Sequence, residues 1–434
     1  MDYVREIQET QSVPKYHPHL FNTEGIKVPF PYPIGYHLLM AVFPHWVPLY
    51  KILQVVFATL CLLLTLKIAD LLEIKRTPLI LFPLILAYSF SWVSLTPHPD
   101  MLAMLFMLIS LYFLLRYLRE GKSVDGLMAV LSGFYGAMIR EFALVTIFFA
   151  IFYFWCRYRE KRRLIFFLSF TILLTGLGYY WVNCSLRDRS IFYPFLGRVD
   201  PRASEWYMSH VSLWSVMKHE PLQALGDLLK VFFPFFLMFF FAKPKEKFLA
   251  SVFGVQIFLT LLFLPSTAGL DRYVMFTLPF LALAYANFWE KFPRRALVFM
   301  FVGMAILYPV QGYMLEKKLS SDFEEITEGL GPGDSVLFRE YGQLAYRTRC
   351  KANWTSLFWS GDLFDSFENV NKVEHMIKTH GITHVLVDKE IILETRGPMV
   401  GNNAMKYPKE WVEKVENIGT KVRETRRYVL YRIG

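Results

Sequence analysis

The run Thr96-Pro97-His98-Pro99-Asp100 sets two prolines, a histidine and an acid directly before the apolar stretch Met101 to Leu115. Proline donates no backbone hydrogen bond and disfavours helix in the residue before it, so the chain must turn here. Asp100 then opens the next helix, where its charge meets the positive end of the helix dipole. A carboxylate at the centre of a bilayer costs about 2.5–3.5 kcal/mol on insertion scales, so a helix mouth is the cheaper place for one. Two readings follow: a cap at a membrane surface, or an acid lining a reaction chamber. Either way Asp100 is expected to stay ionised at the mouth without the full cost of burial. Asparagine in its place should then change rate more than folding.

Other ionisable groups stand at comparable places. Arg140-Glu141 and Asp271-Arg272-Tyr273 fall at predicted helix mouths, and the first 48 residues add Asp2, Glu6, Glu9, His17 and His19. Ionisable residues at membrane depth are candidates for function. Each has a plainer reading. Arg140-Glu141 could be a local ion pair closing a helical hairpin, and Arg272 an interfacial arginine with its stem in lipid. His17, His19 and His98 match no strong metal-ligand spacing, and solvated loops account for them more simply. The four cysteines, Cys61, Cys156, Cys184 and Cys350, show neither metal spacing nor a disulfide framework. Cys184 and Cys350 fall on the same predicted side, which would permit a bridge.

The elements that must position these groups are membrane spans. The 434 residues are 54% hydrophobic, with 41 phenylalanines, where soluble domains run at roughly 45–50% apolar. A net charge of +10 would suggest nucleic acid in a soluble protein. Here the placement of the basic residues explains it, and no nucleic-acid partner is expected. Apolar length predicts about ten spans, several short, near 50–71, 79–95, 101–116, 124–138, 142–156, 164–182, 227–242, 248–265, 272–290 and 296–313. Alternate loops hold Lys75/Arg76, Arg116/Arg119/Lys122, Arg157 to Arg163, Lys243/Lys245/Lys247 and Lys291/Arg294/Arg295. The short loops between them hold almost no base beyond Arg140 and Arg272. By the positive-inside rule the basic set is cytoplasmic. By parity Asp100, Arg140, Arg272 and both ends of the chain lie outside.

The expected fold is therefore a polytopic α-helical membrane protein with a small C-terminal extracytoplasmic α/β domain. Residues 1–48 read as a first outer loop, 49–314 as the multi-span domain with an aromatic outer loop at 183–227, and 315–434 as the soluble domain. In the last, Ser335–Phe338 and Thr383–Asp388 read as strands, Val370–His380 and Trp411–Asn417 as helices, and Lys421–Glu424 with Tyr428–Arg432 as a hairpin. Gly331-Pro332-Gly333-Asp334 lacks the Lys-Ser/Thr ending of a phosphate loop and reads as a turn. The first loop has no upstream segment to carry it across: either it is translocated unaided or a first span belongs before Met1, and the missing span is the favoured expectation.

These motifs, in this order and on one side, resemble those of the C-type (GT-C) glycosyltransferases, especially the protein-mannosyltransferase-like and aminoarabinose-transferase-like branches. Asp2-Tyr3-Val4-Arg5-Glu6-Ile7 and Tyr32-Pro33-Ile34-Gly35-Tyr36 look like the later parts of that family's first outer loop. Pro99-Asp100 before a helix ending Tyr112…Arg116 looks like the acidic motif of its second loop. Gly133…Arg140-Glu141 is similar to a small-residue helix ending in a base, and Asp271-Arg272-Tyr273…Leu278-Pro279 to the Arg-Tyr motif of a late span. The tail, with Pro332-Gly333-Asp334 and Val429-Leu430-Tyr431-Arg432, resembles the outer domain of archaeal members. One departure stands out: Asp2 falls later than the family's first-loop aspartate.

The resemblance implies a multi-pass plasma-membrane enzyme with an extracytoplasmic active site. It would move a sugar, mannose in one of the two branches, from a polyprenyl- or dolichyl-phosphate donor to a protein, lipid or glycan acceptor. Asp100 and Asp2 would be catalytic, one carboxylate acting as general base. Arg272, Tyr273 and Arg140 would hold the donor phosphate, with His98 and Glu141 in support. The resemblance allows a divalent metal, Mg or Mn, without requiring one. Two other classes stay open. A transporter or flippase of lipid-linked sugars would place ionisable groups near mid-span. An inactive fragment or scaffold would follow if the first-loop aspartate were missing.

Overall fold

The computed structural model describes residues 2–12, 16–21, 27–29, 34–74, 78–95, 98–185, 209–263, 270–291, 321–338, 348–352, 361–393 and 406–434, with residues 298, 302 and 344, and excepting 45, 211, 234, 236, 237 and 240–242. In the first 48 residues helix α1 (Asp2–Thr10), strands β1 (Tyr16–Phe21) and β2 (Lys27–Pro29) and helix α2 (Gly35–Ala41) precede the long helix α3 (Val47–Leu71). A 3-10 turn at Pro78–Leu81 then leads into α4 (Phe82–Leu86) and α5 (Tyr88–Leu95), in place of the continuous span expected at 79–95. Pro83 and the extended Ala87 (ψ 123°) account for the break.

The centre of the bundle is α6 (Pro99–Glu120), α7 (Ser123–Ile139), α8 (Glu141–Arg157) and α9 (Arg162–Ser185). Pro99 occupies the first turn of α6, where its missing N–H costs nothing, and Gly121 ends the helix in the left-handed region (φ 72°). Helix α7 lies close against α6 because its inner face is small. A Cβ on Gly133 would sit 2.9 Å from Ser110 Oγ, and Ser110 Oγ donates to the Ala129 carbonyl at 2.7 Å. Small residues are what allow two helix backbones to approach in lipid. Beyond them come α10 (Leu213–His219), α11 (Pro221–Phe232), α12 (Lys247–Phe263), α13 (Leu270–Val274), a 3-10 turn at Met275–Thr277, α14 (Leu278–Ala284) and α15 (Ala286–Lys291).

Large apolar side chains point outward along these helices, among them Leu60 and Leu63 on α3, Phe148 and Phe152 on α8, and Phe258 on α12. Such a belt suits a hydrocarbon surround. Among the described residues two helices, Pro48–Leu71 and Pro99–Glu120, are by length and composition fit to cross a membrane, and five more apolar helices are shorter. The span expected at 296–313 falls almost wholly outside the described residues.

The C-terminal residues form the sheet expected of them, with β3 (Ser335–Leu337), β4 (Lys351–Ala352), α16 (Gly361–Glu368), α17 (Lys372–Thr379), β5 (His384–Asp388), β6 (Ile392–Leu393), β7 (Tyr407–Pro408), α18 (Lys409–Ile418), β8 (Gly419–Glu424) and β9 (Tyr428–Ile433). Strand β5 is apolar on both faces because both are covered. Val385 and Val387 pack with Trp411 and Met376, and Leu386 packs with Phe323 and Phe338. The strand order is β2-β1-β4-β3-β5-β9-β8. Two of its seven strands thus come from the first 48 residues, β1 lying parallel to β4 with Leu20 opposite Ala352. Cys350 is a free, buried thiol, so the bridge to Cys184 that the sequence would permit is not formed.

Candidate functional site

Three stretches far apart in the chain meet at Asp100. The residue lies in the first turn of α6 and is 1% exposed. Arg140 is the single extended residue (φ −153°, ψ 125°) between α7 and α8, ending one helix and starting the next. That break turns its side chain to α6, and its Nε donates to Asp100 Oδ1. Arg272, on α13, donates from Nε to Asp100 Oδ2 at 2.8 Å. His98 Nδ1 lies 2.7 Å from the same oxygen. That nitrogen also lies 3.5 Å from the Asp100 amide, but it cannot donate and accept at once. The shorter contact, to a charged oxygen, takes the proton.

The plainer reading of Arg140 gives way here. It reaches Asp100 on a neighbouring helix, not only a partner within its own hairpin. The expectation that a helix mouth spares Asp100 the full cost of burial is likewise corrected. Two guanidiniums and an imidazole close over it, and burial of the carboxylate is tolerable because both oxygens accept charge-assisted hydrogen bonds. Arg140 is nearly enclosed, at 4% side-chain exposure, whereas Arg272 is 25% exposed. Tyr273 is half-buried, its ring 4.5 Å from that of Phe142 at the start of α8.

The remaining candidates divide. Asp2 stands at the first position of α1, and α1 packs on α2 through Gln8, whose Nε2 donates to the Ala41 carbonyl at 3.0 Å. The side chains of Asp2, Glu141, His17 and His19 lie outside the described residues. No group of three or more His, Cys, Asp and Glu side chains gathers among the described residues. With guanidiniums on both oxygens, Asp100 is set up to hold cations of the protein itself.

Reasoning from sequence missed Gln54. It is fully buried on α3, and its Nε2 lies 3.0 Å from the His98 carbonyl oxygen and 3.3 Å from the Tyr36 hydroxyl. Its signal was present: it is the one carboxamide in a long, mainly apolar helix.

No family model matches the sequence, and no curated protein matches it. Among solved structures the chain is similar to ArnT from Cupriavidus metallidurans bound to undecaprenyl phosphate, with a TM-score of 0.54 and 10% identity over 99% of this chain and 92% of that one. It is also similar to the archaeal oligosaccharyltransferase AglB from Archaeoglobus fulgidus in complex with an inhibitory peptide and a dolichol-phosphate. There the TM-score is 0.55 and the identity 10%, over 96% of this chain and 68% of that one. At that identity the likeness is one of fold.

Proposed function

We propose that this chain, which has the fold of the GT-C glycosyltransferases, transfers a sugar from a polyprenyl-phosphate donor to an extracytoplasmic acceptor. The observation that carries the reading is the Asp100 cluster, two arginines from different parts of the chain gathered on one carboxylate, one of them a quarter exposed. The lipid phosphates bound by ArnT and AglB support the donor class. A transporter is less favoured, because these buried ionised groups stand at helix ends and not at mid-span.

In this reading an acceptor hydroxyl or amide attacks sugar C1, the new C1–acceptor bond forms, and the C1–O bond to the lipid phosphate breaks. Arg272, with Tyr273 beside it, receives the phosphate as negative charge grows on it, and Arg140 backs it from behind Asp100. Asp100, with both oxygens engaged, fixes the two arginines; it is poorly placed to take a proton. The acceptor's proton goes to a separate carboxylate, for which Asp2 remains our candidate. Helix α1 lies over α2, and Gln54 connects α2 to the site through Tyr36. The acceptor (protein, lipid or glycan), the identity of the sugar as mannose and the plasma-membrane location belong to the same proposal.

The test is transfer of radiolabelled sugar from a panel of polyprenyl-phosphate sugars by the full chain in liposomes. Arg272→Ala should lose about a hundredfold in rate or more, as when one donor to a developing oxyanion is removed. Arg272→Lys should recover part of it, lacking the planar fork. No transfer by the parent with any donor defeats the reading, and full activity of the alanine variant reduces Arg272 to an interfacial anchor.

A further inference from the structure

Gln54 presents an anomaly that packing does not explain. It lies in the second turn of α3 with no exposure, and its Oε1 has no hydrogen-bond partner among the described residues. Leucine would fill similar space in an apolar helix without burying a bare acceptor. The amide's orientation is not arbitrary either. The His98 carbonyl can only accept, so nitrogen must face it, and the same nitrogen then donates to the Tyr36 oxygen.

The atom it holds matters for the cluster. His98 lies between Pro97 and Pro99, neither of which has an N–H to anchor the local backbone. It is extended (φ −124°, ψ 140°), and in that pose its ring lies 2.7 Å from Asp100 Oδ2. The second donor bond reaches α2, which is itself seated on α7 by Tyr135, whose hydroxyl donates to the Gly35 carbonyl at 3.1 Å.

We propose that Gln54 is a positioning residue of the transfer site, pinning the His98 peptide to the first-loop helix so that His98 is held against Asp100. The proposal rests on the functional reading above but is separable from it by experiment. The full chain is reconstituted in nanodiscs, and His98 modification by diethyl pyrocarbonate is followed by mass spectrometry. Donor kcat and KM are measured alongside. In Gln54→Leu the His98 modification rate should rise severalfold, and kcat should fall about tenfold with donor KM nearly unchanged, the scale of one lost hydrogen bond. Gln54→Met, which keeps the length and lacks the donor, should behave like leucine. Tyr36→Phe, which keeps the volume, should raise His98 reactivity to a smaller degree, and it serves should either Gln54 variant fail to fold. An unchanged His98 rate in these variants overturns the proposal whether or not sugar is transferred. A raised rate in a parent background without transfer retains Gln54's role and defeats the glycosyltransferase reading alone.

Discussion

Arg140 and Asp100, 40 positions apart in the chain, form an ion pair almost closed to solvent, with side chains 4% and 2% exposed. Charges so enclosed are held by one another. Their arrangement depends on α7 approaching α6 closely enough for the residue that follows it to reach the first turn of its neighbour. The ion pair is therefore a consequence of the small face of α7 as much as of the two residues themselves.

Removing the carboxylate charge should harm the fold as well as the reaction. Asp100→Asn leaves Arg140 and Arg272 facing a neutral amide, and breaking a buried pair costs about 3–5 kcal/mol. We expect a clearly lower midpoint in thermal unfolding in detergent, and partial recovery in Asp100→Asn/Arg140→Gln. A single variant with the parent's midpoint would mean that water screens the pair.

Gly35 is the point where α2 touches α7. An added Cβ would lie 2.7 Å from the Met138 carbonyl oxygen, and backbone cannot yield as a flexible side chain does. Gly35→Ala should destabilise by about 1–3 kcal/mol, the usual cost of overpacking. It should also loosen α1 and α2, seen as faster proteolysis before α3. Unaltered cleavage would show that α2 is seated by other contacts.

Sidedness is testable by labelling. Helix α8 carries Arg140 at one end and Arg157 at the other, a distance of about 25 Å at 1.5 Å per residue. With the native cysteines replaced, a cysteine at Thr379 should react with a membrane-impermeant maleimide in intact cells. One at Glu160 should react only after permeabilisation. The reverse pattern would invert the topology and place the Asp100 cluster in the cytoplasm.

Burial pushes the Cys350 thiol up to about 11. Deprotonation is disfavoured in the folded state, so at pH 8 almost no thiolate is present, and alkylation needs either unfolding or strongly alkaline solution. We expect Cys350 to react slowly at pH 8 in the native protein, faster as pH rises towards 11, and fully in denaturant. Rapid native labelling at pH 8 would contradict its burial.

What the sequence determined by itself was local and periodic. Apolar runs located most helices, Pro97 and Pro99 forced the turn before α6, and short apolar runs bounded by turns picked out β3, β5 and the β8–β9 hairpin. These follow from short-range sterics and from the demand that apolar faces be covered. The residue types at Asp100, Arg140 and Arg272 were also legible, because ionised groups are scarce in such a chain. Their meeting was not. It depends on Gly133 and Ser110 letting two helices close up, and on one extended residue turning Arg140 towards α6. The joining of β1 to β4 was equally hidden, since Tyr16–Phe21 has no strong alternation and finds its place only against an edge supplied more than 300 residues later. Gln54 makes the same point on the scale of one side chain. An isolated amide in an apolar helix is visible in sequence, but only the fold decides which backbone carbonyl it must satisfy.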